Sequence, residues 1–269
     1  MAEGEVRQFG RVCQLILGKG GKGIRITDLR MKFDIKKSSD EQPNTAKIEI
    51  YNLNPEHQSL LIKEWADIQL LAGYEGEERL IFSGQIRTAT PKIEGTDRVI
   101  TIESGDGDRE ILRGFINKTL TAGCTSDQIV DECQAAMFGV PNAHKDQLDT
   151  KYSRGKVLSG RASDVMTKQT KQDDAQWSIQ DGQMLVLKGK NTRPNAVWLI
   201  SQNTGMLGSP EPTQDGVKVR TLLNPAYLIG GVAKIDSLIY EGGIRIESIT
   251  HKGDTHGPEW VSELEGLRI

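Results

Sequence analysis

Only three cysteines occur in the 269 residues, Cys13, Cys124 and Cys133. The number is odd and no pair is spaced Cys-x-x-Cys, which argues against a disulfide framework and against a zinc ribbon. They read as buried or idle thiols made in a reducing compartment. Aromatic residues are 5% of the chain, too few for a base-stacking platform. Neither sign of charge dominates: 34 Lys and Arg stand against 37 Asp and Glu. That near balance gives no electrostatic case for binding DNA or an anionic membrane surface. Long apolar runs are also missing. Stretches such as CQLILG are far too short to span a bilayer. The first residues, MAEGEVRQFGRVCQLILGKGG, lack the order of a signal peptide. A soluble protein that bypasses the general secretory route is expected.

The length suits one large or two modest domains with a real core. The first third carries period-2 patterning. NTAKIEIYNL alternates, with Ile48 and Ile50 on one face and Lys47, Glu49 and Tyr51 on the other. ADIQLLAGYEGEERLIFSGQI reads as two extended runs around a polar connection, and RVITIESG alternates again. PEHQSLLIKEW, after Asn54, reads as one helical stretch between strands.

The middle changes character. TSDQIVDECQAAMFGVP places Ile129, Val130, Cys133, Ala136 and Met137 on one helical face. Thr125 and Gln128 have capping-box spacing, with Gly139 and Pro141 at the far end. SGRASDVMTKQTKQDD is a second helix with Ala162, Val165 and Met166 as its stripe. Asp181-Gly182 in QWSIQDGQMLVLKG signals a tight hairpin. The last third returns to strands: AVWLIS, GVKVRTLL, GVAKIDSLIY and GIRIESITHKGDTHGPEWVSELEG.

One stretch echoes another. Residues 81–87 are IFSGQIR and residues 239–245 are IYEGGIR. Leu-Asn-Pro precedes both, at Leu53-Asn54-Pro55 and Leu223-Asn224-Pro225. The expected fold is β-rich α+β: two similar small β-barrel domains, over 1–106 and 193–269, flanking a helix-containing α+β insert over 107–192.

THKGDTHGPEW holds His251, Asp254 and His256 within six residues. For zinc they would have to converge from one turn, the spacing is not His-Glu-x-x-His, and no cysteine is near. The first copy has no histidine at the matching positions, TPKIEGTDRVI. The segment therefore reads as a polar turn between the final strands, with incidental histidines. His57 lies among helix-like residues and His144 in a loop after Pro141.

GKGGKG at residues 18–23 resembles a phosphate loop, but Lys22 is followed by Gly23 and then a strand pattern, so a hairpin loop is expected. Ser153 and Lys156 fit a Ser-x-x-Lys spacing whose companion motifs are missing, and Gly-x-Ser-x-Gly does not occur. A glycosidase would need two carboxylates about 5 to 10 Å apart, and nothing singles out a pair among 37 acidic residues. Trp65, Trp177, Trp198 and Trp260 read as packing residues. No catalytic residue, cofactor or metal is assigned.

NTAKIEIYNLNPE, IFSGQIRTA, RVITIESGDGD, RASDVMTKQTKQDDAQWSIQDGQMLVL, LLNPAYLIGGVAKIDS and GGIRIESITHKGDTHGPEWVSELEG together resemble the baseplate hub proteins of long-tailed bacteriophages, the late-control-gene-D group. The same module forms the base of type VI secretion spike proteins. The resemblance implies a virion protein at the tail tip, made in the host bacterial cytoplasm. It implies a homotrimer whose six β-barrels form a ring between a sixfold tail tube and a threefold central spike. Its implied partners are tail-tube or distal tail proteins, the spike, the tape-measure protein and baseplate wedge proteins. DNA would pass through the lumen without sequence-specific binding. Because the chain ends soon after its last strands, the spike and any cell-wall digestion are expected to belong to other proteins. The alternatives are a tail-associated cell-wall hydrolase and a tail-tube protein, the latter disfavoured by the helical middle.

Overall fold

The structure, a computed structural model, describes residues 8–20, 22–63, 66–214 and 216–269. Trp65 falls outside them. The chain is β-rich α+β, as its alternating patterns predict. It opens with β1 (Arg11–Lys19), β2 (Lys22–Ile26), β3 (Met31–Ser38) and β4 (Thr45–Tyr51), then α1 (Pro55–Lys63). Next come β5 (Asp67–Tyr74), β6 (Arg79–Glu94), β7 (Asp97–Gly105) and α2 (Asp108–Arg113). The middle holds β8 (Phe115–Leu120), α3 (Ser126–Ala136), β9 (Asn142–Lys145), β10 (Lys156–Arg161), α4 (Ala162–Gln172), β11 (Ala175–Gln180) and β12 (Gln183–Lys188). The chain then runs through β13 (Val197–Ile200), β14 (Met206–Pro212), β15 (Gly216–Leu222), β16 (Val232–Asp236), β17 (Glu241–Asp254) and β18 (Trp260–Arg268).

Local chemistry explains the middle. Thr125 Oγ1 accepts the Gln128 N–H and Gln128 Oε1 accepts the Thr125 N–H, a complete capping box for α3. At the other end Gly139, at φ 67°, donates its N–H to the Gln134 carbonyl. Ile129, Val130, Cys133 and Met137 are buried against Ala162 and Met166 of α4. Asp181 and Gly182 have φ of 54° and 77°, the twist a two-residue hairpin between β11 and β12 requires. His144 sits in β9, which pairs in parallel with β12, where a loop was expected. The parallel partner lies some forty residues on, so no local turn announces it. The GVAKIDSLIY run also breaks: β16 ends at Asp236, and Ser237 Oγ accepts the Tyr240 N–H in a tight turn that leaves Leu238 fully exposed.

One strand order occurs twice. In the first third it is β3-β4-β7-β6-β5-β1, and in the last third β14-β15-β18-β17-β16-β13. Only the final pair differs: β1 meets β5 antiparallel, whereas β13 meets β16 in parallel. Both Leu-Asn-Pro stretches make the same turn. Asn54 Oδ1 accepts the Glu56 N–H at 2.8 Å, and Asn224 Oδ1 accepts the Ala226 N–H at 2.9 Å. Each long strand carries a one-residue bulge, at Arg87 in β6 and at Glu247 in β17. These bulges are two positions out of step with the IFSGQIR and IYEGGIR match, so strand order carries the repeat better than that motif does. One cross-strand row makes the equivalence concrete. It reads Thr88, Glu103, Lys47, Asp34 across β6, β7, β4 and β3, and Ser248, Glu265, Lys218, Glu211 across β17, β18, β15 and β14.

The two sets join through β17, whose residues 248–254 pair antiparallel with β3. This makes one continuous thirteen-stranded sheet, with β14 and β2 ending its main path. No pairing among the described residues closes either set on itself. Buried side chains fall into three clusters. One is built from Cys13 to Ile102 together with Leu223 and Trp260, one from Ile116 to Val186, and one from Leu185 to Leu264. Leu185 and Leu187, from the expected middle unit, pack in the third cluster.

Candidate functional site

The residues expected in a polar turn lie at the β17–β3 seam instead. β17 runs on through Asp254, so His251 and Asp254 are strand residues and the turn spans only 255–259. His251 is 1% exposed and its Nδ1 lies 2.8 Å from Ser262 Oγ. Burial, reinforced by the charge of Lys37, pushes the imidazole down to about 3, so it is neutral in the fold. The same Ser262 Oγ accepts the N–H of Asn224 at 3.1 Å, which ties the second Leu-Asn-Pro turn to the seam. His251 is thus a structural buried group and no incidental loop residue. The alternation of β17 put it on the inward face, beside Ile249.

Asp254 takes a fork from Arg30, Nε to Oδ1 at 3.2 Å and Nη2 to Oδ2 at 2.7 Å. It also accepts the His256 N–H at 3.0 Å. Burial would raise this carboxyl. The Arg30 fork, the His256 amide and the nearby cations more than offset burial and hold it below the usual carboxylate range. His256 itself is exposed and touches Thr255 Oγ1 at 2.9 Å. The three residues therefore face three different partners. Among the described residues, no group of three or more His, Cys, Asp or Glu is placed to hold a metal ion.

A second polar junction was not foreseen. Asp106, at the end of β7, is 1% exposed. Its carboxylate accepts the Asp181 N–H at 2.5 Å and the Gly182 N–H at 3.0 Å, the two amides of the tight hairpin. Asn44 bridges the same place, donating to the Ile179 carbonyl at 2.8 Å and to Gln180 Oε1 at 3.0 Å. Lys37 closes it with a 2.5 Å ion pair to Asp181. Burial first, then the Asp181 charge, raises Asp106 to about 7 against the opposing pull of Lys37 and the two amides. The Asp-Gly pair was legible as a hairpin. That its amides would cap a carboxylate from another segment was not.

The remaining candidates stay apart. GKGGKG spans the β1–β2 hairpin, where Gly18 and Gly23 face each other and a Cβ on Gly23 would lie 2.2 Å from the Leu17 carbonyl oxygen. Ser153 is exposed, and Lys156 lies over the Tyr152 ring at 3.8 Å. His57 lies in α1, and His144 Nε2 is 3.0 Å from Asp146. A groove of about 650 Å3 runs between the β1–β2 hairpin and β5, β6 and α2, lined by Lys19, Lys22, Ser83, Asp106 and Glu110 among others. Among the described residues, no histidine or cysteine lines it. Trp177 donates to Thr167 Oγ1 at 2.9 Å, and Trp198 and Trp260 meet Tyr227 and Phe33 edge-on. What the arrangement offers is two junctions of strands held by buried polar contacts.

The family model described as baseplate hub gp41 matches residues 14–242. No curated protein matches the sequence. The fold is similar to the 43 kDa tail protein of prophage MuSo2 from Shewanella oneidensis, with a TM-score of 0.64 at 12% identity over 95% of this chain and 98% of that one. It is similar to the tail protein from Neisseria meningitidis MC58, with a TM-score of 0.66 at 9% identity over 97% of both chains. The E. coli c3393 protein, a type VI secretion component with structural similarity to T4 tail proteins gp27 and gp5, gives a TM-score of 0.58 at 9% identity, over 95% of this chain and 76% of that one.

Proposed function

This chain belongs to the baseplate hub gp41 family, a structural part of the phage tail tip, and on that premise we propose that three copies close into a ring. The ring adapts a sixfold tail tube to a threefold central spike and surrounds the channel through which tape-measure protein and DNA leave. The repeated strand order carries the reading: two like sets of strands per chain give six positions from three chains. On this reading the chain divides into a first small barrel over 1–106, a middle unit over 107–192 and a second small barrel over 193–269. The middle unit, locked to the first by Asp106, braces the outside and meets wedge proteins. The part is mechanical and carries no catalytic step of its own.

Light scattering on the purified chain tests this. The expected mass is that of three chains. A stable dimer or an open-ended polymer contradicts it.

A further inference from the structure

The ring, if made of six like sets, needs six like joints. Each chain makes one of its two joints internally, where β3, the first strand of one set, lies along residues 248–254 of β17, the long strand of the other. The counterparts of those two elements are β14 and residues 88–94 of β6. Both are present, and among the described residues β14 pairs with β15 alone and residues 88–94 with β7 alone. Resting on the ring reading above, we infer that β14 of one chain lies antiparallel along residues 88–94 of β6 in a second copy. It takes there the place that β3 holds on β17.

The register follows from the equivalences. The bulges at Arg87 and Glu247 align residues 88–94 with 248–254. The row Glu103, Lys47, Asp34 and the row Glu265, Lys218, Glu211 align Glu211 with Asp34. Inside the chain Asp34 lies opposite Lys252. The counterpart of Lys252 is Lys92, so the joint sets Lys92 of one copy against Glu211 of the next. The match of charge is reproduced, with lysine kept on one side and glutamate standing in for aspartate on the other. In the single chain Lys92 turns to Glu94 at 2.7 Å and Glu49 at 3.4 Å, and Glu211 is exposed.

The same register explains two prolines. Within the chain His251 faces Ile35. The Ser39 N–H reaches the Glu247 carbonyl and the Thr255 N–H reaches the Met31 carbonyl, so odd residues of β3 point their amides at β17. The counterparts of His251 and Ile35 are Pro91 and Pro212. Thr213 N–H bonds inward to the Gly216 carbonyl, which leaves the Pro212 nitrogen on the outer side. Proline there deletes outward ladder bonds and blunts the edge. The joint between chains is thus carried by side chains and is weaker than the internal one. It opens more readily than the internal joint and does not recruit unrelated strands.

Charge exchange on the full chain tests it, by sedimentation over a range of concentrations. Lys92→Glu and Glu211→Lys are each expected to weaken the trimer, by roughly tenfold in dissociation constant for three repelling joints, and the double variant to restore it. Independently, Thr90→Cys with Thr213→Cys, the counterparts of the facing pair Thr250 and Lys36, is expected to give a covalent trimer on oxidation. The linkage should stop at three chains, and neither single variant should link. Cys13, Cys124 and Cys133 are buried and do not compete. A trimer that ignores the charge exchange and does not link overturns the joint and leaves the ring reading standing. A chain that forms no trimer at any concentration overturns both.

Discussion

Arg30 and Asp254, 224 positions apart, meet in a two-bond fork across the seam between β3 and β17. The pair ties the residue before β3 to the last residue of β17. Arg30 is 37% exposed on its side chain, so solvent screens part of the interaction. Asp254→Asn is expected to cost about 1–2 kcal/mol, read as a lowered urea midpoint with unchanged slope. Arg30→Lys, which keeps the charge and loses the fork, should recover only part of it.

Two buried groups predict a pH signature that hides itself. Asp106 is raised to about 7 from 3.8, so it stabilises the fold fully below the unfolded value, and that contribution is lost as pH rises toward 7. His251 is lowered to about 3 from 6.5, so its contribution is present above 6.5 and is lost as pH falls toward 3. Between about pH 4 and 6.5 the two slopes oppose each other. Unfolding free energy should therefore change little in the native chain over that window. Asp106→Asn should make it rise with pH, and His251→Gln should make it fall. The two variants sharing one slope would contradict this assignment.

Ser262 is fully buried and serves both His251 and the Asn224 amide. Ser262→Ala leaves both without a partner. A loss of about 1–3 kcal/mol is expected in chemical denaturation, whereas exposed Ser153→Ala should be neutral.

Gly253 faces the Phe33 and Trp260 rings, whose centroids are 5.4 Å apart. A Cβ there would stand 2.3 Å from Phe33 Cζ and 2.8 Å from Trp260 Cε3. Gly253→Ala is expected to cost about 1–3 kcal/mol through displacement of the stack. Trp260→Ala, which opens a cavity, should cost about 3–5 kcal/mol. Thermal melts followed by tryptophan fluorescence separate the two: the first keeps the Trp260 signal with a shifted environment.

Local chemistry is what the sequence made legible. The capping box at Thr125, the stripe of α3, the Asp181-Gly182 hairpin and the alternating strands each depend on neighbours a few residues away. A repeat was expected from the IFSGQIR and IYEGGIR echo and the two Leu-Asn-Pro stretches; the two Leu-Asn-Pro turns match in structure, whereas the strand order itself was not readable. What stayed hidden depends on partners far along the chain. His251 read as a turn residue because nothing nearby says that β17 continues to pair with β3. Asp106 drew no reading at all, because the two amides it caps belong to residues 181 and 182. The β8–β10 ribbon escaped notice for the same reason: its strands are separated by a helix and a parallel strand.

On the ring reading, two like sets of strands per chain give a sixfold surface from three chains. Cryo-electron microscopy of the assembled particle tests it most directly. The expected result is a closed threefold ring in which β3–β17 and β14–β6 joints alternate, six in all, with successive sets related by about sixty degrees. A ring of another order, or a threefold ring whose chains meet only through the middle units, would contradict it.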